Sequence, residues 1–176
     1  MTVERKIIVN AAEPEETRIA VVEEGKLCEF FIERIWDRHM AGDIYKARVD
    51  TVLPGMHAAF VNLGEGRNAF LYLADAKGHK VEPNAAILVQ VMRAARKGKG
   101  ARVTAHISLP GRYVVLVPGG REIGVSRRIE SPEERRRLRT LARQLRPKGF
   151  GLIVRTVAAG ADEDLLIQDL TELMDL

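Results

Sequence analysis

The sequence predicts an α+β protein that is mostly β: a small closed five-stranded barrel, preceded by an N-terminal β-meander and followed by a compact α/β unit. Three observations predict it. Residues 57–73 alternate apolar and polar side chains on either side of the turn Gly64-Glu65-Gly66-Arg67, the pattern of a hairpin with one buried face. Five short strand-like segments with Gly-rich turns crowd residues 44–109, which suits a barrel. From Ser131 onward the apolar period becomes helical.

The meander comes first. Residues 5–10 and 17–23 have the β-branched character of strands, and the stretch from Ala11 through Pro14 to Glu16 separates them as a loop. A third strand follows Glu24-Gly25 at residues 26–32. Three strands with few aromatics bury little, so this meander is expected to lean on something else.

Asp43 opens the next unit. Residues 44–53 form a long strand in which Lys46 and Arg48 alternate with Tyr45, Ala47 and Val49. In the hairpin, Ala59, Val61 and Leu63 share a face with Ala69, Leu71 and Leu73. Phe60 falls on the other face beside Ala58 and Asn62, and Phe70 joins it, flanked by Asn68 and Tyr72. That polar face with its aromatics suits stacking of unpaired bases. The competing expectation is core packing, since a phenylalanine in a strand is usually buried and both faces of a sheet can be covered. An irregular stretch at 74–85, a strand at 86–93, the loop Arg96-Lys97-Gly98-Lys99-Gly100 and a last strand at 102–109 complete the set.

Residues 113–117 give one more strand, followed by a loop that ends in Ser126-Arg127-Arg128. Ser131-Pro132-Glu133-Glu134 then opens a helix: Ser131 is the cap, Pro132 the first helical residue, and Glu134 completes a capping box. Leu138, Leu141, Ala142 and Leu145 form its apolar stripe, arginines cover the rest, and Pro147 with Gly149 ends it. A strand at 150–156 and a loop lead to an acidic helix from about Asp162, with Leu166, Leu170, Leu173 and Met174 as its buried face. That helix reaches Leu176 with no Gly cap and its apolar stripe still running, which predicts a chain cut short.

Composition narrows the classes. Apolar and charged fractions of 46% and 30% are those of an ordinary soluble domain. No apolar run is long enough to span a bilayer, the N-terminus is too charged for a signal peptide, and the lone Cys28 excludes an internal disulfide or a cysteine-based zinc site. A cytoplasmic location and no membrane partner are expected. Charge is segregated: residues 1–92 hold 11 Lys+Arg against 14 Asp+Glu, residues 93–148 hold 16 against 4, and residues 149–176 hold 1 against 6. A basic block of that size points to a polyanion, because clustered Lys and Arg release counterions from phosphates; a solvated charged face is the bland alternative.

Catalytic chemistry is not evident. His39, His57, His79 and His106 are scattered, and Asp162, Glu163 and Asp164 fit a first helical turn that complements the dipole better than a metal cluster. No nucleophile-base pair or carboxylate constellation is present. Arg155-Thr156, where a buried strand runs out into a loop, is the candidate small-ligand site: a guanidinium fork, a hydroxyl and loop amides grip a terminal phosphate. A strand-end arginine is, alternatively, a surface ion-pair partner.

Five blocks, in order, carry a resemblance: Tyr45-Lys46-Ala47-Arg48; Ala58-Ala59-Phe60-Val61; Ile107 to Tyr113; Ile123 to Ile129; and Gly151 to Thr156. Together they resemble the N-terminal half of the ribonuclease E/G endoribonucleases. The resemblance implies residues 1–37 as the first piece of a split RNase H-like domain, 38–110 as an S1 RNA-binding domain of OB-fold type, and 111–176 as a 5′-sensor subdomain. It implies that Phe60, Phe70 and Lys99 (or Lys97 in its place) hold single-stranded RNA together with Lys46 and Arg48. It further implies a 5′-monophosphate pocket in which Arg155 and Thr156 clasp the phosphate while Gly111 and Val115 border the terminal nucleotide.

The family's magnesium-binding aspartates and the cysteine motif of its E-type members have no counterpart in these residues. The expected function is therefore RNA binding and 5′-monophosphate sensing within an RNA-processing and mRNA-decay endoribonuclease. The chain alone is expected to bind without cutting and to need no cofactor. Mg2+ and homo-oligomer assembly are expected of the full-length protein. A stand-alone, non-catalytic S1-type RNA-binding protein is the alternative, and a scaffold whose basic helix docks an acidic protein is a third class.

Overall fold

The computed structural model describes residues 4–34, 40–64, 66–96 and 98–176. They fall into two compact units, Met1–Met40 and Ala41–Leu176. The expected boundary at residues 37 and 38, His39, and Glu65 of the expected turn lie outside the described residues.

The first unit is an antiparallel sheet of β1 (Arg5–Glu13), β2 (Glu16–Glu23) and β3 (Lys26–Arg34), in that order. The expected loop at 11–16 shrinks to a turn at residues 14–15, because β1 runs on to Glu13. Glu24 and Gly25 both have positive φ, 48° and 77°, the left-handed pair that matches a two-residue turn to the strand twist. Glu16 accepts hydrogen bonds from Arg34 Nε at 2.6 Å and from Arg18, and these hold its carboxyl below the ordinary value. Large apolar side chains remain on the surface of this sheet: Ile7, Phe30 and Phe31 are 69%, 52% and 48% exposed.

The second unit begins with the barrel: β4 (Ile44–Leu53), β5 (Ala58–Asn62), β6 (Ala69–Tyr72), β7 (Ala86–Arg93) and β8 (Arg102–Thr104). The strands close in the order β4-β5-β6-β8-β7, with β6 and β8 parallel and all other pairs antiparallel. This is a closed five-stranded barrel consistent with an OB-fold. Its interior is filled from the alternation in the sequence: Val49, Val61, Leu71, Val89, Val91 and Val103 are fully buried, as are Ala59 and Ala69. Leu73 departs from that face, because the chain turns into a 3-10 segment at Leu73–Ala76.

A second sheet follows, built from β9 (Leu109–Pro110), β10 (Val114–Pro118), β11 (Ile123–Val125) and β12 (Phe150–Val154) in the order β11-β12-β10-β9. Helix α1 (Pro132–Leu145) is the crossover between parallel β11 and β12, and α2 (Glu163–Met174) ends the chain. Val114, Leu116, Leu138, Leu152, Val154 and Leu166 anchor one core shared by the sheet and both helices. Two polar ties join this sheet to the barrel. Gln90 donates to Gly42 O and Ser108 O at 3.0 and 2.9 Å and accepts from Ser108 N at 2.9 Å; Lys77 Nζ donates to Pro118 O at 2.5 Å.

Four further expectations need correction. The strand expected at 102–109 stops at Thr104: Ala105 N bonds to Asp75 O at 2.8 Å, and Leu109–Pro110 pair with β10 instead. Strand β11 lies within the expected loop; its three residues are too few to show a period, and its partner β12 is distant in sequence. Met174 is 45% exposed, and the buried face of α2 is Leu166, Asp169, Leu170 and Leu173. The capping box is half made. Ser131 Oγ accepts from Glu134 N at 3.3 Å, but the Glu134 carboxylate turns away to Arg137 Nε and Nη2 at 2.8 and 2.7 Å and to Gly160 N at 2.9 Å.

Those partners, Arg137 first and then the Gly160 amide, pull the Glu134 carboxyl down to about 2 from an ordinary 4.5. A depressed folded-state pKa adds stability above the unfolded value and loses it as pH falls toward the folded one. The protein is expected to lose stability in urea unfolding between about pH 5 and pH 2. Glu134→Gln is expected to be less stable at neutral pH and flatter across that window; parallel pH profiles for the two proteins would contradict the assignment.

Candidate functional site

Phe60 and Phe70 are cross-strand partners on the outer wall of the barrel, each half-buried. The register extends them into a row crossing all five strands: Thr51 lies opposite Phe60, Phe70 opposite Arg102, and Arg102 opposite Arg93. The rings are edge to face, Phe60 and Phe70 at 5.8 Å and 74°, Phe70 and Tyr72 at 4.9 Å and 85°. Arg102 stands 4.8 Å over the Tyr72 ring and reaches Asp75 Oδ2 at 3.2 Å. Edge-to-face contacts of this kind are a preferred aromatic geometry.

A cavity of about 700 Å3 lies over this row. Its walls are the three aromatics with Met56, Asn68, Arg93, Arg96, Lys99 and Arg102, and no carboxylate lines it among the described residues. Lys99 is placed by a tight hairpin in which Arg96 and Lys99 exchange backbone hydrogen bonds at 3.1 and 2.9 Å around Gly98, whose φ is +81°. Arg67 Nη1 donates to Gly98 O at 3.1 Å, pinning that hairpin beside the β5–β6 turn. Gly100 has to be glycine, because a Cβ there would collide with the Asn68 carbonyl. Lys97 lies outside the described residues. Lys46 and Arg48 are exposed on β4, Arg48 opposite Asn62 and Lys46 opposite Leu88, and they do not line the cavity.

The sequence analysis put Phe60 and Phe70 on this face with Tyr72 beside them, and the resemblance added Lys99; Arg93, Arg96 and Arg102 were not among the expected site residues. Tyr72 follows from its i, i+2 relation to Phe70. Arg93 and Arg102 do not, since only the parallel β6–β8 pairing and the bulge between Val91 and Arg93 bring them into line.

Arg155 and Thr156 lie at the end of β12, in a second cavity of about 480 Å3 shared with Ser126, Arg128, Ile153 and Val157. Thr156 Oγ1 and Ser126 Oγ are 2.8 Å apart, and Arg128 N donates to Ser126 Oγ at 3.3 Å. Arg155 Nη1 donates to Gly111 O, and Arg155 N donates to Tyr113 O at 2.8 Å. No carboxylate pairs with Arg155 among the described residues, so the ion-pair alternative is not what the structure contains. Val115 is half-buried opposite Ile153. Ser126 and Arg128 were not singled out as site residues because the strand that delivers them, β11, was not recognised.

Asp169 of α2 organises this pocket from behind. Its buried carboxylate accepts from Arg112 N, Tyr113 N and Val114 N at 2.8, 2.7 and 2.9 Å. That fixes the turn whose carbonyls hold Arg155. Gly111 packs so closely that a Cβ would lie 2.5 Å from both carboxylate oxygens. A lone carboxylate within the apolar stripe Leu166, Leu170, Leu173 was the available signal.

Metal chemistry finds no ligand set: no group of three or more His, Cys, Asp or Glu side chains is arranged to hold an ion among the described residues. Asp162 caps α2 without a side-chain hydrogen bond, and Glu163 and Asp164 occupy its first turn. No helix among the described residues is long and apolar enough to cross a membrane.

Comparison with known proteins gives a consistent picture. Residues 108–176 match the Ribonuclease E/G family. The chain is 44% identical over 166 residues to ribonuclease E of Nostoc sp., covering 88% of this chain and 24% of that protein. It is 43% identical over 175 residues to ribonuclease G of Haemophilus influenzae, covering 89% and 36%, and 40% identical over 183 residues to ribonuclease G of Escherichia coli K12, covering 93% and 37%. The chain thus spans about a quarter to somewhat over a third of the length of these curated relatives.

Asp169→Asn is expected to cost about 2 kcal/mol or more in denaturant unfolding, since it faces an amide N–H2 toward buried backbone donors. Gly111→Ala is expected to destabilise through the same contact. Wild-type stability in both variants would show that the carboxylate is not what holds the turn.

Proposed function

The chain belongs to the ribonuclease E/G family, and from that premise we propose that it is the RNA-binding and 5′-monophosphate-sensing portion of an RNA-processing and mRNA-decay endoribonuclease. The observation that carries the proposal is the cross-barrel row Thr51, Phe60, Phe70, Arg102 and Arg93. Bases of a single strand stack on Phe60 and Phe70, and the backbone passes the guanidinium and ammonium groups of Arg93, Arg96, Lys99 and Arg102. Stacking is indifferent to sequence because every base has a π face. In this reading the barrel is an S1-type RNA-binding domain, and Lys46 and Arg48 add outlying phosphate contacts.

The pocket at the end of β12 takes the 5′ terminus. The Arg155 guanidinium keeps one donor on Gly111 O and presents the others to a terminal phosphate, while the hydroxyls of Thr156 and Ser126 supply neutral donors. Gly111 and Val115 border the terminal nucleotide. A 5′-hydroxyl lacks the charge this arrangement is built to meet. The work of these 176 residues is to grip RNA. Magnesium-dependent phosphodiester hydrolysis, homo-oligomer assembly and a cytoplasmic setting are proposed for the full-length protein.

Binding of 5′-monophosphorylated and 5′-hydroxyl single strands, measured by fluorescence anisotropy, separates the two sites. Phe60→Ala and Phe70→Ala are each expected to weaken both strands alike, by about 1–3 kcal/mol. Arg155→Ala is expected to remove the preference for the monophosphate and leave the affinity for the hydroxyl strand in place. Unchanged affinity in both phenylalanine variants would refute the stacking platform, and a preference surviving in Arg155→Ala would refute the 5′-end pocket.

A further inference from the structure

The five arginines of α1 and Arg146, which caps its C-terminus, divide into two sets. Arg135 donates to Ser126 O at 2.6 Å and Ile129 O at 3.4 Å, Arg137 to Glu134 and to Ala161 O at 3.1 Å, and Arg146 to Phe150 O at 3.0 Å. These three hold the helix to its surroundings. Arg136, Arg139 and Arg143 are exposed and make no hydrogen bond or ion pair among the described residues.

The free set is ordered. Spacing of i, i+3 and i+7 puts Arg136, Arg139 and Arg143 on one stripe about 10 Å long, with Pro132 at its head. Leu138, Leu141, Ala142 and Leu145 occupy the opposite side of the helix, against the core. Pro132, Arg135, Arg136 and Arg139 enclose a hollow of about 300 Å3. Glu133 lies one turn before Arg136, and residues 135–161 contain no Asp or Glu, so from Arg139 onward the ridge has no acidic neighbour along the helix. Like charges one turn apart oppose the helix, and ordinary surfaces relieve this by mixing signs.

We propose that this ridge is a phosphate track that engages the backbone of the same RNA. The inference rests on the RNA-binding reading above and adds a contact separate from both of its sites. Two features favour RNA over an acidic protein. The ridge starts at the rim of the 5′-end pocket, because Arg135 holds the carbonyl of Ser126, whose hydroxyl faces Thr156. The stripe also offers no large apolar or aromatic anchor of the kind that protein partners bury, whereas phosphates need none.

The test is the salt dependence of RNA binding by the full chain carrying Arg136→Gln, Arg139→Gln and Arg143→Gln together, beside the corresponding triple lysine variant. Circular dichroism checks that the helix is kept. Three lost phosphate contacts are expected to flatten the log-log salt slope by about 2 and to weaken a long single strand roughly ten- to a hundredfold near 0.1 M salt. The lysine variant is expected to restore the slope, and the preference for a 5′-monophosphate is expected to stay as in wild type. An unchanged slope and affinity in the glutamine variant would overturn the track. Unchanged RNA binding with lost binding of poly-glutamate would overturn it in favour of an acidic protein. Failure of the wild-type chain to bind RNA at all would instead remove the parent reading and the track with it.

Discussion

One buried carboxylate sets the geometry on which the Arg155 pocket depends. Asp169 reaches from α2 into the turn before β10 and accepts three backbone N–H groups at 2.7–2.9 Å. A buried anion is tolerable only when its lone pairs are filled, and here the backbone fills them. The constraint propagates. The turn is fixed, its carbonyls at Gly111 and Tyr113 hold the side chain and backbone of Arg155, and the guanidinium is held at a strand end. A second clamp works from the far side: Glu134 and Arg137 of α1 bind Gly160 N and Ala161 O, closing the loop that follows Thr156.

The barrel solves a different problem, that of showing aromatic rings to solvent without losing them to the core. Alternation gives the interior to Val61, Leu71 and Val103 and leaves Phe60, Phe70 and Arg102 outside, although Ala58, on the Phe60 side of β5, is fully buried as well. Edge-to-face contacts then steady the rings against one another, and Arg102 is steadied by Tyr72 and Asp75. Rigidity matters for binding, because side chains already ordered lose less entropy when a ligand arrives. The charge segregation visible in the sequence resolves into places: Arg93, Arg96, Lys99 and Arg102 beside the rings, Arg128 at the pocket, and the free arginines along α1.

What was legible in the sequence was local. Period-two alternation identified the buried face of the hairpin at Ala59, Val61, Leu63, Ala69 and Leu71, and cap chemistry placed the start of α1 at Pro132. The bounds 44–53 and 86–93 match β4 and β7, since both are long and flanked by turn residues. What was not legible needed partners distant in the chain. β8 keeps only three residues because pairing with β6 and β7 ends there. Arg93 and Arg102 meet only through that pairing, and Asp169 has a reason to be buried only once the turn at 111–114 is opposite it. Glu134 illustrates competition: a local capping rule gave way to an arginine and an amide with better geometry.

The central claim is that the outer wall of the barrel, along the row through Phe60, Phe70, Arg102 and Arg93, is where single-stranded RNA lies. Backbone amide shifts of the isotope-labelled chain, followed by NMR while a short unstructured RNA is titrated in, address it most directly. The expected result is a set of shifts that are largest at residues 58–62, 69–72, 93–96 and 98–102, with smaller ones at Lys46, Arg48 and along the Arg136–Arg143 stripe, and with further shifts around Ser126 and Arg155 only when the strand carries a 5′-phosphate. Shifts spread over other surfaces, with those segments silent, would contradict it.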